Sequence, residues 1–203
     1  MFITFEGGEG CGKSTHSRLL KRYLEGKGLK VVLTHEPGAT ETGKKLRKIL
    51  LMESQLISKY SELLLFAADR AEHVERVIRP SLKAGKIVIS DRFIDSTAAY
   101  QTGGRRIPEK IVQYINRISS GGLVPDITFL LDIDPKTGIA RGTRHTGKDK
   151  FESEDGGFHS RVRKMYLNIA RRDPGRVKIV SSKLPITRVQ EDIRRIIDEK
   201  LRH

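Results

Sequence analysis

Eight residues near the amino end, Gly7-Gly8-Glu9-Gly10-Cys11-Gly12-Lys13-Ser14, set two glycines five apart ahead of a lysine and a hydroxyl residue, with Thr15 directly after. That spacing suits a polyphosphate. Glycines let backbone N–H groups turn inward around it, and a helix beginning near Lys13 directs its positive end at the same anion. Lys13 would add a full charge at the β and γ phosphates of a nucleoside triphosphate, and Ser14 would offer its hydroxyl to a magnesium ion bridging the same oxygens. Asp91 ends the apolar run Ile87-Val88-Ile89-Ser90 and is expected to hold that ion through water. Alone, an aspartate at a strand end is more often a helix cap; the loop upstream reverses those odds. Glu9 places a second carboxylate inside the loop, where it could order metal-bound water or the acceptor end. Cys11 occupies a variable position and reads as a small tolerated residue.

The loop needs a strand before it and a helix after it, and the chain supplies both. Five β-rich runs, Phe2 to Glu6, Lys30 to His35, Lys86 to Asp91, Asp126 to Asp132 and Arg176 to Val180, alternate with helical patterns. This predicts an α/β fold, a five-stranded parallel sheet with helices on both faces. Leu19, Leu20, Tyr23 and Leu24 recur at helical spacing after the loop, and Gly26 and Gly28 stop that helix. Ser58 to Lys83 reads as one long helix that Pro80 bends or ends near its last turn. Further helices are expected around Phe158 to Ile169 and Ile186 to Leu201. Residues 141–157 stand apart, rich in glycine and in Arg141, Arg144, Lys148 and Lys150, and read as a mobile basic segment.

The 203 residues fit one domain, with 37% hydrophobic and 32% charged residues and no internal repeat or linker. A single cysteine excludes an internal disulfide, and no Cys/His cluster has zinc-ligand spacing. No apolar run approaches the roughly 20 residues that span a bilayer, so a cytoplasmic location without membrane contact is the default expectation. The formal net charge of +14 attracts polyanions of any kind, but solvated basic helix faces account for such a surplus equally well.

Beyond the loop, Glu36-Pro37-Gly38, Phe66-Ala67-Ala68-Asp69-Arg70, Asp91-Arg92-Phe93, Ser96-Thr97-Ala98-Ala99-Tyr100-Gln101 and Phe158-His159-Ser160-Arg161-Val162 follow in order. With these markers the chain resembles the thymidylate kinase family of P-loop nucleoside monophosphate kinases over nearly its whole length. The resemblance implies transfer of the γ-phosphoryl group of ATP to dTMP with Mg2+, in a homodimer, with no nucleic-acid partner. It implies an acceptor-binding region at about 36–75, including Glu36 and Pro37, and a lid at about 141–157. Arg92 and Arg47 would clamp the acceptor phosphate, a task suited to the planar guanidinium fork. By the same resemblance Phe66 stacks on thymine, Arg70 reaches its O4, Thr97 and Gln101 bond the base edge with Ser96 close by, and Tyr100 crowds the sugar 2′ position. Standing alone, Phe66 would more often be a core aromatic.

Glu9 in the loop together with a basic lid resembles the mainly bacterial type, in which lid cations, here Arg141 and Arg144, join Lys13 and Arg92 in catalysis. Ala39 stands where a second glycine is usual, Phe93 where tyrosine is usual, and Asp149-Lys150 where Asp-Arg is common. Two other readings stay open at this point: a kinase for a different nucleoside monophosphate, and a P-loop NTPase that works on nucleic acid.

Overall fold

The structure is a computed structural model that describes residues 1–51, 57–142, 151 and 154–202. β1 (Phe2–Glu6), β2 (Val31–His35), β3 (Ile87–Asp91), β4 (Ile127–Asp132) and β5 (Val177–Ser181) lie within one residue of the sequence expectation. They form one parallel sheet in the order β2-β3-β1-β4-β5. Alternate side chains of these strands face opposite layers. Ile3, Phe5, Ile89 and Phe129 pack under α1 (Lys13–Gly26) and α9 (Ile186–Arg202) through Leu20, Leu24, Ile193 and Ile197. On the other face, Phe2 and Val88 meet Val74, Ile78 and Phe93. Each such side chain contributes about 1.5–3 kcal/mol by leaving water, which makes the sheet a rigid platform.

From β1 the chain runs outward to β2, returns to β3 beside β1, then crosses β1 to reach β4. This reversal opens a crevice past the carboxyl ends of β1, β3 and β4, the place where open α/β sheets bind ligands.

The expected long helix is continuous in direction but not uniform. It consists of α3 (Lys59–His73), a π-helical stretch Val74–Ile78, and α4 (Arg79–Lys83). Ser58 is its cap, accepting the Ser61 N–H, rather than its first helical residue. Pro80 cannot donate to a carbonyl one turn back and its ring crowds that carbonyl, so the wider turn just before it lets the helix pass.

Sequence periodicity did not give α5 (Ile94–Thr97), α6 (Glu109–Ser119) or α7 (Pro135–Gly142), while α2 (Glu41–Leu51) is the helix expected to carry Arg47 after Gly43. A second π-helical stretch, Ala98–Gly104, continues α5 and lies against α8 (Gly156–Arg172). A Cβ on Gly104 would sit 2.4 Å from the Phe158 ring, so this approach requires glycine. Of the segment expected to be mobile, Arg141 and Gly142 form the last turn of α7, and Gly156 and Gly157 the first turn of α8. Phe151 is buried. Arg144, with the rest of 143–150 and 152–153, lies outside the described residues. Among the described residues no helix is long and apolar enough to cross a membrane.

Candidate active site

A cleft of about 1190 Å3 opens at the crevice, lined on one side by Glu9 to Arg18 and on the other by residues of β2, α2, α3, α5 and the stretch after α5. Its floor is the loop between β1 and α1. Gly10 has φ +63°, and a Cβ there would fall 1.8 Å from the Gly138 carbonyl oxygen of α7, so the loop rests directly on another backbone. Gly7 and Gly8 lie beneath, facing a second, small cavity with Tyr166 and His159. Lys13 is buried, and its Nζ donates to the carbonyls of Gly7 (3.1 Å) and Gly8 (2.9 Å), which holds the ammonium inside the loop. Burial pushes the Cys11 thiol up despite the charge of Lys13, which disfavours the thiolate.

Ser14 Oγ donates to Asp91 Oδ2 at 2.5 Å, so the hydroxyl and the carboxylate expected at the metal converge on one point. Among the described residues no three His, Cys, Asp or Glu side chains cluster as metal ligands. One hydroxyl and one carboxylate suit magnesium, which keeps several waters and takes its remaining ligands from phosphates.

Arg92 follows Asp91 with φ +74°, a left-handed conformation that costs a non-glycine residue about 1–3 kcal/mol. Its Nη2 donates to Glu9 Oε1 at 2.6 Å and its Nη1 to Ser96 Oγ at 3.3 Å, while its guanidinium lies over the Tyr100 ring. Tyr100 donates its hydroxyl to the same Glu9 oxygen at 2.5 Å. Burial alone would raise the Glu9 carboxyl, but the Arg92 and Lys13 cations overcome it and hold the group at about 2. The arginine is therefore aimed across the cleft at the phosphate loop and fixed there as an ion pair.

On the far side, Arg47 of α2 donates to the Pro37 carbonyl at 2.8 Å. Phe66 faces the cleft beside Phe151, ring centroids 5.9 Å apart. Arg70 is nearly inaccessible and more committed than its spacing implied. It donates to Glu36 Oε2 from Nε (3.0 Å) and Nη2 (2.8 Å), to Asn116 Oδ1 from Nη1 (2.8 Å), and to the Phe93 carbonyl (3.0 Å). Four of its five N–H groups are taken, and the second one on Nη1 has no partner among the described residues. Glu36 is the reason: a buried carboxylate between Arg70 and His73, it must be paired.

Ser96 lines the cleft and donates its hydroxyl to the buried Glu6 Oε2 at 2.5 Å. Thr97 and Gln101 line the cleft. Gln101 gives its Nε2 to Glu62 at 2.9 Å, and its Oε1 is buried without a partner among the described residues. Arg141 also reaches the cleft, braced by a 2.9 Å bond from Nη1 to the Ser182 carbonyl.

A sequence model of the thymidylate kinase family matches residues 5–193. The thymidylate kinase of Gloeobacter violaceus is 46% identical over 200 residues, covering 98% of this chain and 94% of that relative. That of Dehalococcoides mccartyi strain BAV1 is 49% identical over 186 residues, 91% of this chain and 89% of the relative. The chain belongs to the thymidylate kinase family. The crystal structure of thymidylate kinase from Ehrlichia chaffeensis superposes with a TM-score of 0.80 at 37% identity, covering 98% of each chain, so fold and family agree.

Within this thymidylate kinase fold several site residues carried no usable sequence signal. Ser182, after β5, donates its hydroxyl to the Cys11 carbonyl at 2.5 Å and so ties the end of the sheet to the phosphate loop. Asn116 of α6 holds Arg70, and Asp69, which sits within the Phe66–Arg70 marker but was given no role there, accepts the Gly38 N–H at 2.9 Å to pin the turn after β2. Burial, with Glu36 nearby, lifts the Asp69 carboxyl to about 6. Glu6, for which the sequence suggested no role beyond ending the first strand, is completely buried.

Proposed function

We infer that this chain carries out the reaction for which its family is named, phosphorylation of dTMP to dTDP, with ATP as donor and magnesium at Ser14 and Asp91. The observation that carries the reading is the 2.6 Å contact from Arg92 to Glu9, which sets an acceptor clamp against a triphosphate loop inside one cleft. A nucleotide pair bound there would have its reacting oxygens in line, and positioning of that kind supplies most of the catalysis in phosphoryl transfer. Lys13, Arg92 and Arg141 surround the transferring group with positive charge, with Arg144 as a further lid cation, and no enzyme side chain is phosphorylated. Magnesium, when bound, neutralises charge on the β and γ oxygens.

Base selection is read from two opposed polar atoms. The unpartnered Gln101 Oε1 accepts and the remaining Arg70 N–H donates, which matches thymine, with its single N3–H beside carbonyl oxygens, and mismatches cytosine. Phe66 supplies the stacking face. Because ATP and dTMP are cytoplasmic metabolites, the reading carries a cytoplasmic location.

We also propose a homodimer through α3 and α6. Tyr60 and Leu64 of α3 and Tyr114 and Ile118 of α6 are exposed large apolar side chains, spaced four apart on two helices that pack together.

The deciding experiment is an ADP-release assay with ATP and magnesium across dTMP, dUMP, UMP, CMP, AMP and GMP. The expected result is preference for dTMP, with Lys13→Ala lowering turnover by about 10²-fold or more in a folded protein. Preference for another acceptor, or ATP hydrolysis that ignores dTMP and responds to DNA, would overturn the reading.

A further inference from the structure

Glu6 is the last residue of the central strand and does not itself line the cleft, yet its carboxylate gathers three donors, one of them, Ser96, on the cleft wall. Oε1 accepts the Phe93 N–H at 2.7 Å, and Oε2 accepts the hydroxyls of Ser96 at 2.5 Å and Tyr166 at 3.1 Å. The first of these bonds falls on the residue immediately after Arg92, whose backbone is left-handed. The turn is gripped from other directions too. The Arg92 N–H donates to the Phe5 carbonyl at 2.9 Å, Ser90 Oγ donates to the Arg92 carbonyl at 2.8 Å, and Arg70 holds the Phe93 carbonyl at 3.0 Å. Ser96, oriented by Glu6, in turn accepts from Arg92 Nη1. Glu6 thus meets both the backbone and the side chain of the arginine, once through Phe93 and once through Ser96.

A buried carboxylate that only filled space would be a costly choice, since removing such a group from water without partners costs several kcal/mol. An unstrained turn would not need it. A left-handed arginine persists only where its surroundings over-determine it, and Glu6 supplies the acceptor for the Phe93 N–H among the described residues. Burial, with Asp95 nearby, pushes the Glu6 carboxyl up to about 7. The geometry does not depend on its charge, because a neutral carboxyl keeps Oε1 as an acceptor for the N–H and can donate to a hydroxyl from Oε2.

We propose that Glu6 is a positioning residue that locks the left-handed turn at Arg92 and so sets the guanidinium that receives the acceptor phosphate. The proposal deepens the reading of Arg92 as the acceptor clamp and rests on it.

The test compares Glu6→Gln, which keeps an oxygen for Phe93, and Glu6→Leu, which keeps shape and removes both acceptors, with Arg92→Ala and the double variant Glu6→Leu/Arg92→Ala. Initial rates are measured while dTMP and ATP are varied separately, and the folded fraction is fixed by thermal melts. Glu6→Leu is expected to lower kcat/KM for dTMP by about 10- to 100-fold, the scale of a displaced positioning group, with KM for ATP within about threefold of the parent. Glu6→Gln is expected to recover most of the loss. In the double variant the two losses should not add, because one acts through the other.

A merely structural role would lower the folded fraction and kcat while leaving both KM values alone, and that outcome would overturn the proposal. So would full additivity with Arg92→Ala. If Glu6→Leu is too unstable to assay, Ser96→Ala reports on the side-chain arm alone: a raised KM for dTMP supports the proposal and an unchanged one overturns it. Should Arg92→Ala itself leave KM for dTMP unchanged, the clamp reading fails instead, and the two failures are told apart.

Discussion

Two carboxyls at the amino end of the chain show how environment divides identical chemistry. Glu9, beside Arg92 and Lys13, is held at about 2, whereas Glu6, three residues earlier and sealed from water, is pushed up to about 7. Their contributions to stability run in opposite directions. Glu9 binds its proton less tightly in the folded chain than the ordinary 4.5, so it stabilises the fold above that value, and the gain is lost as pH falls toward 2. Glu6 binds its proton more tightly when folded, so stability drains as pH rises from 4.5 through 7. The Gln variant has no such proton to lose. Between pH 5 and pH 8 the parent should therefore lose up to about 3 kcal/mol relative to Glu6→Gln, measured as the difference in urea midpoints multiplied by m. Parallel curves would mean that the buried group titrates as an exposed one does.

At the scale of elements, the phosphate loop depends on a helix far along the chain. A Cβ on Gly138 would sit 2.3 Å from the Glu9 carbonyl oxygen, so α7 and the loop touch backbone to backbone. Gly138→Ala should displace the loop, costing about 1–3 kcal/mol in a thermal melt. KM for ATP should rise more than KM for dTMP. An unchanged KM for ATP would show that the loop absorbs the methyl group.

The strands and the loop itself were legible in the sequence, because short β-rich apolar runs and a fixed glycine spacing are local patterns. α5 and α7 were not, being too short for a helical repeat to declare itself, and the π-helical stretches owe their width to Pro80 and to the packing of Gly103 and Gly104 against α8. Site residues of recognisable type were found on the cleft. Their commitments were not: Arg70 and Ser96 look like free donors until Glu36 and Glu6, distant in sequence, are seen to hold them. Nothing in the spacing of Ser182 or Asn116 could have marked them, since they act only through tertiary contacts.

For the molecule as a whole, the proposed dimer rests on the exposed Leu64 and Tyr114. A stable interface buries about 800 Å2 per partner, and a central charge deprived of water is the surest way to split one. Leu64→Asp is expected to convert a species of twice the chain mass into one of the chain mass in sedimentation equilibrium, with the fold retained by circular dichroism. A parent already at the chain mass would remove the proposed dimer.

The order of the strands has one more consequence, for synthesis. Of the sheet's five strands, the first to leave the ribosome is the middle one, and its flanking partners arrive only with residues 87–91 and 127–132. At roughly 5–20 residues per second the nascent chain spends several seconds with Phe2, Ile3 and Phe5 unclaimed. Over that interval this apolar segment is a target for chaperones, or for a neighbouring chain on the same message.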